Sequence, residues 1–86
     1  MEATVQIDKV TKLHASARMA LDIGKYKVAE SRYRSGIALM VAVLDPLHIS
    51  YVDMLKGLYT CLKRQGKDEE AENVHIMIAQ LCFGQS

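Results

Sequence analysis

Two glycines 42 residues apart divide the chain into two copies of one pattern. Gly24 opens the segment GKYKVAE (residues 24–30), and Gly66 opens GKDEEAE (66–72). Other residues match at the same offset: Val10 with Val52, Leu13 with Leu55, Ala20 with Leu62, and Ala29 with Ala71. A period of about 20 to 50 residues is typical of a supersecondary unit that is copied and stacked. We therefore expect one domain over residues 1–86, with one repeat at about 4–44 and a second at about 46–83.

Each copy is predicted to be a pair of helices, because its apolar residues recur every three or four positions. A glycine that follows the last periodic residue indicates a helix stop, since glycine enters the left-handed conformation without a steric penalty. The fold class is therefore all-α, a four-helix antiparallel array of two helix hairpins. The four apolar stripes are Ile7, Val10, Leu13, Ala17, Ala20 and Leu21; Tyr26, Ala29, Tyr33, Ile37, Met40 and Leu44; Val52, Leu55, Leu58, Tyr59 and Leu62; and Ala71, Val74, Ile78 and Leu81.

The start of the third helix has two candidates. Asp45 followed by Pro46 suits a helix cap and first position, whereas Ser50 and Asp53 have the spacing of a capping box. The run GIALMVAVL (36–44) before them lacks a polar face, which predicts a stretch of the second helix that is covered on two sides.

Composition and charge exclude several classes of protein. The net charge is +1, and no cluster of Lys and Arg supports a nucleic-acid binder. The longest apolar run, nine residues, is about half of a bilayer span, so we expect no membrane insertion. With no secretory leader pattern and only two cysteines, Cys61 and Cys82, the expected location is the cytoplasm.

The tract LKGLYTCLKRQGKDEEAENVH (55–75) and the tract ALDIGKYKVAESRYRSGIAL (20–39) resemble the tetratricopeptide repeat family. The series of Leu13, Ala17, Gly24, Tyr26, Ala29 and Tyr33 matches the family's alternation of large, small and aromatic residues. The 42-residue spacing resembles the longer repeats of kinesin light chains. This resemblance implies a noncatalytic adaptor or scaffold that binds a peptide or helix of a partner protein.

A second resemblance covers only residues 17–39. The tract ARMALDIGKYKVAESRYRSGIAL looks like the first two helices of a microtubule-interacting and trafficking domain, which would bind helical motifs in membrane trafficking. The second glycine corner, at Gly66, argues against a three-helix domain of this kind.

No residue pattern predicts catalysis or a cofactor. The candidate metal ligands lack the short spacing of structural zinc sites; they are His14, His48, His75, Cys61 and Cys82. Cys61 lies in the middle of an apolar stripe, where nothing would lower its pKa. We therefore expect neither an enzyme nor a metal protein, and no cofactor.

Partner binding is predicted on the first helix of each pair, whose residues not used in packing would line a concave surface. Basic residues outnumber acidic ones there, which favours a peptide with an acidic or carboxylate-bearing stretch. The alternative is that these charges merely solvate an exposed helix face. The predicted groove residues are His14, Arg18, Asp22, Asp53, Lys56, Thr60, Lys63 and Arg64.

The last helix is predicted to carry a second contact. Ile76, Met77 and Phe83 are apolar but lie off the stripe of Val74, Ile78 and Leu81, and no polar capping helix follows within the sequence. These three residues predict self-association or the packing of a partner helix.

Overall fold

Four helices make up the secondary structure of the described residues. The computed structural model describes the backbone of residues 2–43 and 49–83 and the side chains of residues 8–42 and 51–83. The helices are α1 (Glu2–Asp22), α2 (Tyr26–Val43), α3 (Ile49–Arg64) and α4 (Asp68–Phe83). The predicted all-α fold class is confirmed.

Gly24 and Gly66 each follow a helix and have the left-handed conformation, as predicted. The φ angle is 81° at Gly24 and 77° at Gly66. At the first corner the amide of Lys25 donates to Ala20 O at 2.9 Å, and the amide of Gly24 donates to Leu21 O at 3.1 Å. At the second corner the same two bonds run from Lys67 to Leu62 O at 2.9 Å and from Gly66 to Lys63 O at 3.1 Å. This Schellman arrangement satisfies the last carbonyls of each helix, so the two hairpins turn in the same way.

The helices stack in chain order within a thin layer. Helix α2 packs against α1 and α3, α4 packs against α3, and α1 also contacts α3. The Cα atoms extend over 40 × 36 × 15 Å. Within the described residues, the backbone of α4 is close to that of α3 and to that of no other helix. The molecule is therefore an array with two faces, and α1 and α3 meet on one of them.

The core runs along the layer between neighbouring helices. Tyr33, Met40, Met54, Leu55 and Leu62 are its largest fully buried side chains. Ala29 and Ala71, which lie 42 residues apart in the sequence, are both fully buried. Their small side chains let the second helix of each hairpin lie close to the first.

The two hairpins carry different residues at two matched positions. The first pairs the buried Ala17 with the large ring of Tyr33, whereas the second carries Tyr59 and His75 at the equivalent positions. The rings of Tyr59 and His75 contact each other, with centroids 5.8 Å apart. The second hairpin therefore places an aromatic pair where the first combines a small residue with a large one.

Helix α2 is covered on two sides, by α1 and by α3, as the run 36–44 predicted. One side of this apolar run is nevertheless exposed: Val41 is 54% exposed, and Ala38 and Ala42 are also exposed. Met40 in the same run is buried. The reason is that α1 and α3 cover two stripes of α2 in a layer, and the remaining stripe faces outward.

Helix α3 begins at Ile49, so Ser50 lies in the first turn of the helix and not at the cap position. The alternative start at Asp45 and Pro46 lies outside the described residues, as does His48. In the same hairpin, Asp68, Glu69 and Glu70 form the first turn of α4, where the helix dipole favours negative charge.

Candidate functional site

A groove of about 660 Å³ lies between α1 and α3. The layer arrangement creates it, because the outward residues of these two helices share a face and no other helix of the described residues is packed between them. The groove brings together seven of the eight residues that the sequence predicted for partner binding: His14, Arg18 and Asp22 from α1, and Asp53, Lys56, Thr60 and Arg64 from α3. Four further residues complete its lining: Leu21, Tyr26, Tyr33 and Gly57.

The eighth predicted residue, Lys63, does not line this groove. Its Nζ atom lies 3.3 Å from Asp68 Oδ1, across the second corner. The side chains of Lys63 and Asp68 are 49% and 74% exposed, so their ion pair contributes little to stability. Lys63 therefore belongs to the corner between α3 and α4.

Tyr33 and Gly57 also line the groove, although the sequence analysis did not predict either residue as part of the site. Tyr33 reaches from α2 to line the groove, and its ring is tilted against His14 at a centroid distance of 6.1 Å. A Cβ atom at Gly57 would lie only 2.5 Å from Tyr33 Oη. The signal in the sequence is the glycine itself, because glycine inside a helix costs about 1 kcal/mol relative to alanine and usually has a packing reason.

The groove carries an excess of positive charge. Arg18, Lys56 and Arg64 face Asp22 and Asp53, the two acidic residues in the lining. Arg18 Nε lies 3.9 Å from Asp22 Oδ1, and both side chains are about two-thirds exposed. Among the described residues, neither Lys56 nor Arg64 has an ion-pair partner within 4.0 Å. Two cations on α3 are therefore available to an anionic group.

The backbone of α3 holds these cations in a row. Lys56, Thr60 and Arg64 follow one another at intervals of four residues, so they lie on the same side of the helix. The hydroxyl of Thr60 donates to the backbone O of Lys56 at 3.1 Å. The row runs along the groove, parallel to the helix axis, which suits an extended ligand.

A second polar cluster joins α2 to the second corner. Glu30 accepts hydrogen bonds from Arg34 Nε at 2.9 Å, from Gln65 Nε2 at 2.8 Å and from Lys67 Nζ at 3.0 Å. Burial alone would raise the pKa of Glu30, but these hydrogen bonds and the charge of Lys67 lower it to about 2. Arg34 also donates to Glu70 Oε1 at 3.1 Å. We refer to Glu30, Arg34, Gln65, Lys67 and Glu70 as the Glu30 cluster.

The three residues predicted for self-association are exposed. Ile76 is 45%, Met77 40% and Phe83 80% exposed. Met77 also borders a small apolar groove between α2 and α4, where Ile37, Leu55 and Val74 contribute. Exposed apolar side chains also occur at the other end of the layer, at Met19, Ile23 and Val28.

The remaining candidate ligands are dispersed. Burial raises the pKa of Cys61 to about 11, so Cys61 is a neutral thiol at pH 7. The part of the chain that the structure describes contains no group of three or more His, Cys, Asp or Glu residues able to hold a metal ion. Among the same residues, none of the helices is both long enough and apolar enough to cross a membrane.

Comparison with known proteins returned no match to a family model, to a curated protein or to a solved structure. The function is therefore inferred from the chemistry of the groove.

Proposed function

We propose that this chain is a noncatalytic adaptor that holds an acidic peptide segment of a partner protein in the groove between α1 and α3. The observation that carries the proposal is the row of Lys56 and Arg64, which have no acidic partner among the described residues and face Arg18 across the same groove. Charged hydrogen bonds to carboxylates are roughly twice as strong as neutral ones. An acidic segment would supply the carboxylates that the cations of this groove lack.

The proposal includes the class of adaptor. Two hairpins with the same glycine corner, stacked so that their first helices share one face, support an assignment to the tetratricopeptide repeat type. Both cysteines are free thiols, which is in keeping with a cytoplasmic adaptor. Cys61, buried and with a raised pKa, is unsuited to act as a nucleophile.

The test of the groove is a charge reversal with a matched control on the same helix. We expect Lys56→Glu to weaken the binding of a fluorescein-labelled hexaglutamate peptide at least about tenfold, because it replaces an attraction with a repulsion. Fluorescence anisotropy measures the affinity. The measurement is made at physiological ionic strength, because charges more than about 8 Å apart are then largely screened and only charges close to the peptide contribute.

The control is Lys63→Glu, which makes the same change on the same helix outside the groove. We expect it to alter the affinity less than about twofold, because Lys63 does not line the groove and is paired with Asp68 instead. Equal losses in both variants, or no binding by the wild type, would rule out the groove as the acidic-peptide site. Thermal melts of both variants check that each is folded.

The exposed apolar residues at the end of α4 support a second contact. We propose that a second copy of the chain packs there, α4 against α4, because a symmetric pairing closes on itself. Pairing the end of α4 with the opposite end of the layer would instead build a ring or an open chain of molecules. Phe83, at 80% exposure, is the largest apolar group that such a contact would cover.

Light scattering after gel filtration tests this second contact. At high micromolar concentration we expect a wild-type dimer and a Phe83→Ser monomer, because the substitution removes the largest exposed apolar group of the contact. Ile23→Ser is the control, since Ile23 is 69% exposed at the other end of the layer. A monomeric wild type, or dissociation of the dimer by Ile23→Ser alone, would contradict the proposal.

A further inference from the structure

The Tyr33 side chain is the one groove-lining group that is almost completely buried. Only 1% of Tyr33 is exposed, yet it lines the groove together with Gly57 and Arg18. Its ring packs against His14 on one side. Its hydroxyl end lies against the backbone of α3 at Gly57, as the short distance from a Cβ there to Oη indicates. The hydroxyl therefore lies deep in the groove, between α1 and α3.

This hydroxyl makes no hydrogen bond with any of the residues whose side chains the structure describes. The large majority of buried polar side-chain atoms are hydrogen-bonded, so an unpaired one calls for an explanation. Leaving a buried donor unpaired destabilises the free protein. A ligand acceptor that reaches Tyr33 would remove this penalty on binding.

The protonation state of Tyr33 defines what it offers a ligand. Burial raises the pKa of the hydroxyl, Cys61 and Asp22 raise it further, and Arg18 opposes them. Tyr33 is therefore neutral at pH 7 and carries a proton to donate. The charge of Arg18 nearby favours an acceptor that is negatively charged.

We infer that Tyr33 is the specificity-determining donor of this groove: its hydroxyl donates to a carboxylate oxygen of an acidic side chain that enters between α1 and α3. Arg18 and Lys56 then balance the charge of that carboxylate. This inference rests on the proposed function and adds which protein group recognises the acidic side chain. A carboxylate is a pure acceptor, so it complements a donor in a cationic groove better than an amide does.

Tyr33→Phe tests this inference, since it removes one oxygen atom and keeps the ring. We expect the affinity for hexaglutamate to fall about tenfold, as for the loss of a hydrogen bond to a charged group. Affinity for hexaglutamine, weaker in the wild type, should change less. The free variant should melt at or above the wild-type temperature, because an unpaired hydroxyl leaves the core. Tyr59→Phe is the control, since the Tyr59 ring contacts His75 on α4 and is outside the groove lining.

The outcomes separate this inference from the proposed function. If the wild type binds hexaglutamate, Lys56→Glu weakens binding, and Tyr33→Phe binds like the wild type, only the role of Tyr33 is refuted. Equal losses for hexaglutamate and hexaglutamine would show that Tyr33 recognises a neutral acceptor, and would overturn the carboxylate assignment. A large drop in the melting temperature, or failure to fold, would show that the hydroxyl has an internal partner. Failure of the wild type to bind hexaglutamate refutes both proposals.

Discussion

Replacing Glu30 with Gln is expected to lower the free energy of unfolding by about 2 to 3 kcal/mol at pH 7. The pKa of Glu30 falls from 4.5 to about 2 in the folded protein, and its side chain is only 12% exposed. A carboxyl group with a lowered pKa stabilises the folded state above its unfolded pKa, and this contribution is lost as the pH falls through the folded value. Chemical denaturation at a series of pH values measures the effect.

The pH dependence identifies the cause. The difference between wild type and Glu30→Gln should be constant above about pH 5 and should shrink towards zero near pH 2, where Glu30 becomes protonated in both states. Glu72→Gln is the matched control, because Glu72 follows Gly66 by six residues, as Glu30 follows Gly24, but is exposed and has no ion-pair partner among the described residues. A difference for Glu30→Gln that persists unchanged at pH 2 would contradict the electrostatic explanation.

The features that sequence reasoning predicted correctly depend on short-range signals. Gly24 and Gly66 end helices because only the local chain decides whether a left-handed residue is tolerated. That seven of the predicted groove residues share one face follows from helical spacing, which fixes the side of each helix that remains after its apolar stripe is packed; their role in binding stays a prediction. Helical spacing could not show that Lys56 lines the groove and Lys63 does not, because residues seven apart lie on nearly the same side of a helix. In the structure Lys63 pairs with Asp68, beyond the corner, and does not line the groove.

Features that depend on how neighbouring helices meet were missed. Tyr33 belongs to the apolar stripe of α2, and nothing in its spacing shows that its hydroxyl end reaches a groove formed by α1 and α3. The exposure of Val41 likewise reflects the number of neighbours that α2 has in the layer. Three of the four hydrogen bonds within the Glu30 cluster join residues at least 35 positions apart in the chain, so no local pattern predicts the cluster.

Gly57→Ala is expected to destabilise the protein by about 1 to 3 kcal/mol, although alanine is the better helix former. The added Cβ would lie 2.6 Å from Tyr33 Cε1 and closer to the rest of the phenol end. The ring of Tyr33 is 99% buried, so it cannot yield without disturbing its contact with His14. Thermal and denaturant unfolding measure the loss, and binding of hexaglutamate should weaken because the displaced ring intrudes on the groove.

Gly36→Ala is the matched control within the same core. A Cβ at Gly36 would meet Met54 Sδ at 3.0 Å and Leu13 Cβ at 3.6 Å. The flexible methionine can yield by a few tenths of an ångström, so this variant should be neutral or gain up to about 1 kcal/mol from helix propensity. Equal destabilisation by the two alanine substitutions would mean that the Tyr33 contact is not what limits residue 57.

A double-mutant cycle isolates the contact between Gly57 and Tyr33. Tyr33→Leu removes the phenol end, so Gly57→Ala in that background should cost nothing or should stabilise the helix. The resulting coupling energy is expected to exceed about 1 kcal/mol, as for other residues in direct contact. Coupling near zero would place the steric conflict elsewhere. Strong coupling would mean that residue 57 must lack a Cβ atom, despite the cost of glycine to the helix, because the phenol end of Tyr33 occupies that space beside the α3 backbone.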